Sequence, residues 1–248
     1  MAGNVGETTA NSSVADTWDA IAASYDSTRL VDPIYLACCR AIVERVEPLP
    51  AGTRILDAGC GTGIVSLELA RRKLELHALD YSAASLGLLA KKLEERHLDA
   101  RLVQGDIRKL EYPDDFFDVV VCANTLQHLE PGSDQRTAAR ELMRVLKPGG
   151  KFAISAHHYS RVKQRHGWIK EGKPGEPGVD YIFRFSREEF AELMQLPARV
   201  VAVGFYSLAR PSRVFPALQN AASRYFGRLL AQARMGHMLL AYGVKPRS

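Results

Sequence analysis

The chain has no run of about 18 apolar residues, so no helix in it is expected to span a bilayer. Its first thirteen residues contain no Lys or Arg and no apolar core, which excludes a secretory signal and predicts a loose polar tail. Cysteine is scarce: among Cys38, Cys39, Cys60 and Cys122 no pair has metal-ligand spacing, so no metal site is expected. Reduced structural thiols in the cytoplasm are the expectation. There are no internal repeats and no separate second domain. What is present is ordinary for a globular protein: 248 residues, 46% hydrophobic and 25% charged, too apolar for a mostly disordered chain.

The net charge of +5 conceals an asymmetry. Residues 157–248 hold 15 Lys and Arg against 6 Asp and Glu, whereas residues 1–156 sum to −4. A basic last third suits an anionic substrate, a nucleic acid or a membrane surface, and solvated helix faces would give the same count.

Strand-like and helix-like segments alternate from about residue 33. Asp32-Pro33 opens a helix that Pro48 and Pro50 close. Apolar strands are expected at 54–57, 74–79, 100–104, 117–122 and 151–156, with helices at 64–72, 82–97 and 133–146 between them. Lys147-Pro148-Gly149-Gly150 reads as a helix stop. The run Phe117–Cys122 is apolar but for Asp118, as in a strand buried on both faces of a parallel sheet. Short loops between alternating elements predict a doubly wound α/β fold. After Ala156 the pattern breaks into a polar, basic, Gly- and Pro-rich excursion. Ser186 then starts a capping box, strands are expected at 200–205 and 238–244, and residues 214–233 carry apolar residues at helical spacing.

The strongest local signal is Asp57-Ala58-Gly59-Cys60-Gly61-Thr62-Gly63, set between a strand and a helix. Glycines let the backbone turn sharply and approach a ligand. A dinucleotide fingerprint is G-x-G-x-x-G, and this loop is G-x-G-x-G without the Gly-Lys-Ser/Thr of a phosphate loop. Asp57 would repel a pyrophosphate but suits the methionine ammonium of S-adenosylmethionine. Asp80, at the end of the second strand, can take ribose hydroxyls. Asp106 can accept from an adenine amino group while Ile107 packs on the ring.

These segments, with Tyr81, 117–122, Asn124 and 142–150, resemble the ordered motifs of class I methyltransferases, in particular the ubiquinone/menaquinone C-methylase-like branch. The resemblance covers roughly residues 14–156. It implies S-adenosyl-L-methionine as cofactor, S-adenosyl-L-homocysteine as product, and a Rossmann-like, seven-stranded, mostly parallel sheet with an antiparallel last strand. It implies cofactor contacts from Asp57, Gly59, Cys60, Gly61, Gly63, Asp80, Tyr81, Asp106, Ile107 and Asn124. Residues 18–26 resemble the family's lid helix, with Tyr25 either a cofactor contact or a packed aromatic. The chain then divides into a tail and lid helix (1–32) and one domain (33–248), with an irregular insertion at 157–183 and a helical one at 210–236.

His128 and His157 follow the fourth and fifth strands, and each is either a general base or a packing or capping residue. Arg161, Lys163, Arg165, His166, Trp168 and Lys170, within the basic loop 161–173, form a candidate wall for an anionic acceptor or a solvated loop. The function expected is methyl transfer to a small molecule by a monomer or homodimer. An RNA methyltransferase using the basic last third is the alternative. A cofactor-binding protein without catalysis and a nicotinamide oxidoreductase fit the motifs less well.

Overall fold

The structure, a computed structural model, describes residues 7–29, 32–172, 181–203 and 237–247. The helical stripe at 214–233, the insertion at 210–236 and the end of the strand expected at 200–205 lie outside these residues. Helix α1 (Glu7–Arg29) has no Gly or Pro between its ends, so nothing halts it short of the segment expected as tail. Asp32 caps α2 (Pro33–Val46), its Oδ1 accepting from Ile34 N at 2.8 Å and Tyr35 N at 3.3 Å.

Then follow β1 (Arg54–Ala58), α3 (Ile64–Ala70), β2 (Glu75–Asp80), α4 (Ala83–Glu94), β3 (Arg101–Gln104), β4 (Phe117–Ala123), a 3₁₀ turn (Leu126–His128), α5 (Ser133–Arg144) and β5 (Leu146–His157). The remainder is α6 (Arg161–Arg165), β6 (Glu171–Gly172), β7 (Ile182–Phe183), α7 (Arg187–Met194), β8 (Arg199–Val203) and β9 (Met238–Val244). Seven strands form one sheet in the order β3-β2-β1-β4-β5-β9-β8. The first five are parallel and β9 runs antiparallel to β5 and β8, which is the doubly wound sheet with a reversed last strand.

Strand pleating divides the core in two. Ile55, Val119, Val121 and Ala153 pack with α2 and α3, and Leu56, Val120, Cys122 and Phe152 pack with α5 and α7. Two boundaries differ from expectation. Helix α5 stops at Arg144 because Phe116 N and Phe117 N bind the Val145 carbonyl, and pairing of Leu146 with Phe117 starts β5 before the Pro-Gly-Gly stop. The excursion is partly regular: it contains α6 and the ribbon β6–β7.

Strand order reverses across β1, which pairs with β2 on one side and β4 on the other. A ligand crevice belongs at such a point, outside the carboxyl ends of the strands. Those ends carry Asp57, Asp80, Gln104 and Ala123.

Candidate active site

A cleft of about 340 Å³ opens at that edge. Its floor is the turn after β1, where Gly59, Gly61 and Gly63 have φ of +70°, +54° and +93°. A Cβ on Gly59 would lie 2.3 Å from Thr125 Oγ1, and one on Gly63 would lie 2.2 Å from Leu89 Cδ1, so packing demands glycine there. A Cβ on Gly61 would meet nothing within 4 Å. The left-handed backbone of Gly61 instead serves a contact: its N–H donates to Asp80 Oδ2 at 2.7 Å.

Asp57 is fully buried and lines the cleft. Its Oδ2 accepts from Ser66 Oγ at 2.6 Å, while its Oδ1 is buried without a hydrogen bond. Burial pushes the carboxyl up to about 7 against the Ser66 bond, and the Asp80 charge adds to the rise. Asp80 also accepts from Ser82 N at 2.9 Å; burial raises its pKa and these amide bonds oppose the rise. Asp106 lines the cleft, yet both its oxygens are engaged by Arg108 at 2.6–3.1 Å, and Arg108 is bonded in turn to Asp134. Sequence reasoning misses Arg108, because a basic residue two positions after an acid is too common a pattern to read. Cys60, Tyr81 and Ile107 also border the cleft. Asn124, with φ +54°, closes β4, and its Oδ1 accepts from Ser155 Oγ at 3.1 Å.

Helix α1 lies along the cleft, contributing Trp18, Ile21, Ala22 and Tyr25. Asp19 accepts from Ser82 Oγ at 2.5 Å and from Ala84 N at 3.2 Å. Asp26 accepts from Thr62 Oγ1 at 2.5 Å and pairs with Lys92. Tyr25 Oη donates to Tyr35 Oη at 3.2 Å. Asp19 is not marked out by sequence, since an acid at this spacing usually faces solvent, whereas Asp26 belongs to the Tyr-Asp pair of the lid-helix resemblance.

His128 lines the cleft, its ring edge-on to Trp18 at 4.7 Å. Its Nδ1 lies 3.0 Å from the Tyr181 carbonyl, which makes Nδ1 the protonated nitrogen and leaves Nε2 as an acceptor. Burial pulls its pKa down to about 4. His157 does not line the cleft but an adjoining pocket, which shares Trp18, Tyr25, Tyr35, Asn124 and His128 with it.

The basic excursion is not the wall that its composition suggests. None of Arg161, Lys163, Arg165, His166, Trp168 and Lys170 lines either cavity. Lys163 is buried, its Nζ donating to the carbonyls of His158 (2.8 Å) and His237 (3.2 Å). Lys170 pairs with Glu189 at 2.5 Å. The guanidinium that does border the inner pocket is that of Arg29, at the end of α1.

Residues 55–150 match a family model described as a methyltransferase domain. The chain is 36% identical over 163 residues to malonyl-[acyl-carrier protein] O-methyltransferase of Halorhodospira halophila, covering 64% of this chain and 53% of that one. It is 34% identical over 146 residues to demethylmenaquinone methyltransferase of Renibacterium salmoninarum, covering 57% of each. The chain thus spans about half the length of these curated relatives. A solved structure of 1,6-didemethyltoxoflavin-N1-methyltransferase of Burkholderia thailandensis, with bound 1,6-didemethyltoxoflavin and S-adenosylhomocysteine, is similar at a TM-score of 0.65 and 14% identity. The similarity covers 99% of this chain and 93% of that one, and shows a common fold.

Proposed function

We propose that this chain, whose residues 55–150 match a methyltransferase domain, is a class I methyltransferase of the ubiquinone/menaquinone-like type, that its cleft binds S-adenosyl-L-methionine, and that the methyl group passes to a small-molecule acceptor. The observation that carries this reading is the buried, unpartnered Oδ1 of Asp57 in a cleft that Asp80 and Asp106 also border. The donor set fits the cofactor. Asp57 suits the methionine ammonium, Asp80 the ribose hydroxyls, Asp106 and Ile107 the adenine, and the open side of Gly61 admits a close approach. An acceptor with an anionic group, a monomer or homodimer, and the division at residue 32 with insertions at 157–183 and 210–236 belong to the same reading. Four buried free thiols support a reducing, cytoplasmic compartment. No described helix is long and apolar enough to cross a membrane.

The cofactor supplies an electrophilic methyl on a sulfonium, whose leaving thioether needs no proton. The protein's share is alignment and exclusion of water. Trp18, Ile21 and Tyr25 cover the cleft, and orientation of this kind is worth roughly 7–11 kcal/mol. His128 Nε2 is placed as a base for an acceptor that enters protonated, adding about 10²–10⁴-fold. With a pKa of about 4 it is a weak base, suited to an acceptor that already ionises readily. His157, in the adjoining pocket, is the second candidate.

An RNA substrate draws support only from the basic last third. There Lys163 is buried, and Lys170 and Lys245 pair with Glu189 and Asp115, so part of that charge is used internally. The test of the main reading is calorimetry with S-adenosyl-L-methionine on the wild type and on Asp80→Ala. Saturable binding is expected, weakened in the variant by about 2–4 kcal/mol, the scale of one or two hydrogen bonds to a charged group. Folded, ligand-free wild type that does not bind would defeat the proposal.

A further inference from the structure

The cavity is segregated by charge. Every carboxylate that lines it, Asp57, Asp80, Asp106, Glu130 and Asp134, borders the main cleft. Among the described residues that line the adjoining pocket there is no carboxylate; Arg29, His128 and His157 border it with the rings of Trp18, Tyr25 and Tyr35. A cationic cofactor suits the first environment. Its reaction partner, a nucleophile, suits the second.

The inner pocket is small. At about 10 Å³ it holds roughly one water-sized group, so a single polar atom fits. His157, 8% exposed, borders it, and the Nδ1 of this ring is buried with no hydrogen-bond partner. His157 borders this void, and a buried nitrogen without a partner is a vacant place for a hydrogen bond. Arg29 lies over the rings of Tyr25 and Tyr35, at 5.5 and 5.7 Å, which hold its charge at this wall. His128 and His157 are held neutral chiefly by burial, so Arg29 supplies the formal charge among the described lining residues.

We propose that this inner pocket is the subsite for a negatively charged oxygen of the acceptor, a carboxylate, enolate or phenolate, with Arg29 as the recognising cation and His157 Nδ1 as a hydrogen-bond donor. This rests on the reading that the cleft holds the cofactor. An oxygen lodged there lies in the adjoining pocket and not in the main cleft, so on this proposal the acceptor would be anchored by one atom and methylated at another. An Arg at that position also favours the ionised acceptor, which removes the need for a strong base at His128.

The test uses protein saturated with S-adenosyl-L-homocysteine and titrated with formate, and separately with its neutral isostere formamide, followed by ¹³C NMR. Formate should saturate and formamide should not. Arg29→Gln should weaken formate at least about tenfold, the scale of a charge-assisted hydrogen bond, with S-adenosyl-L-homocysteine affinity kept within about twofold. Should Arg29→Gln fail to hold the product, His157→Leu carries the test with the same expected loss of formate. Loaded wild type that takes neither probe, takes both alike, or keeps formate in the variants overturns the subsite. Wild type that does not bind S-adenosyl-L-homocysteine overturns the cofactor reading instead, and this proposal with it.

Discussion

Thr62 Oγ1 donates to Asp26 Oδ1 at 2.5 Å, tying the first helix of the chain to the glycine loop. Asp19, two turns earlier in α1, is tied to Ser82 and Ala84 at the start of α4. Two carboxylates on one face of α1 therefore pin it across the mouth of the cleft. Each partly exposed pair is worth about 0.2–1 kcal/mol, so together they act as a latch that thermal motion can open. The double variant Asp19→Asn/Asp26→Asn should release S-adenosyl-L-homocysteine about tenfold faster in stopped flow while remaining folded. An unchanged release rate would mean that α1 does not gate the cofactor.

Asp57 makes cofactor affinity depend on pH. Its carboxyl titrates at about 7 without ligand, and a ligand ammonium favours the ionised form. Binding below that value then requires loss of a proton. Affinity for S-adenosyl-L-homocysteine should fall about tenfold between pH 8 and pH 6, with proton release visible as a buffer-dependent heat. Asp57→Asn should bind weakly and lose the pH dependence; a variant that keeps the wild-type profile would exclude Asp57 as its source. For stability the sign is opposite. Between 3.8 and about 7 the folded chain holds a proton that the unfolded chain has lost, so Asp57 favours folding increasingly as pH falls through that window.

The three glycines separate packing from binding. Gly61→Ala meets open space, so its stability loss should be about 1 kcal/mol from the positive φ, with cofactor affinity carrying the larger effect. Gly63→Ala adds a collision with Leu89, which is buried in the core, and overpacking of that kind costs about 1–3 kcal/mol more. Urea melts and product titrations on both variants check the order. If Gly61→Ala proved the less stable and the tighter binder, the assignment would be reversed.

What was legible in the sequence is what local pattern encodes. The run Phe117–Ala123 declares a central strand because both faces of the sheet are covered, and an acid near a strand end followed by glycines declares the crevice because parallel strands finish at one edge. The residues that were not legible are placed by contacts far apart in sequence. Lys163 is composed like a surface residue and is buried only because it bridges the carbonyls of His158 and His237. Arg29 ends a helix as many basic residues do, and only the packing of α1 brings it beside His157. Asp106 reads as a free acceptor because nothing local reveals that Arg108 turns back onto it.

Buried Lys163 gives the stability of the fold a pH dependence of its own. Burial, helped by the charge of Arg184, brings its pKa from 10.5 to about 7. Between those values the unfolded chain binds a proton that the folded chain does not, so stability rises with pH across that window and is level below it. The four buried thiols work against this: burial raises their pKa values, so as pH approaches and passes about 8.5 the unfolded chain gains by ionising them. Over the interval from about pH 7 to 8.5 Lys163 should contribute about 1.5 kcal/mol of rising stability. Partial ionisation of the thiols in the unfolded chain and loss of the Asp57 proton in the folded one offset it, so the difference between wild type and a Lys163 variant isolates the amine. Urea melts of the wild type and of Lys163→Met at both ends of that interval measure it. The variant leaves two carbonyls without their donor and will be less stable throughout, so the quantity to compare is the change with pH. A wild-type slope that survives in Lys163→Met would mean that the amine is charged at pH 7 and that another group titrates there.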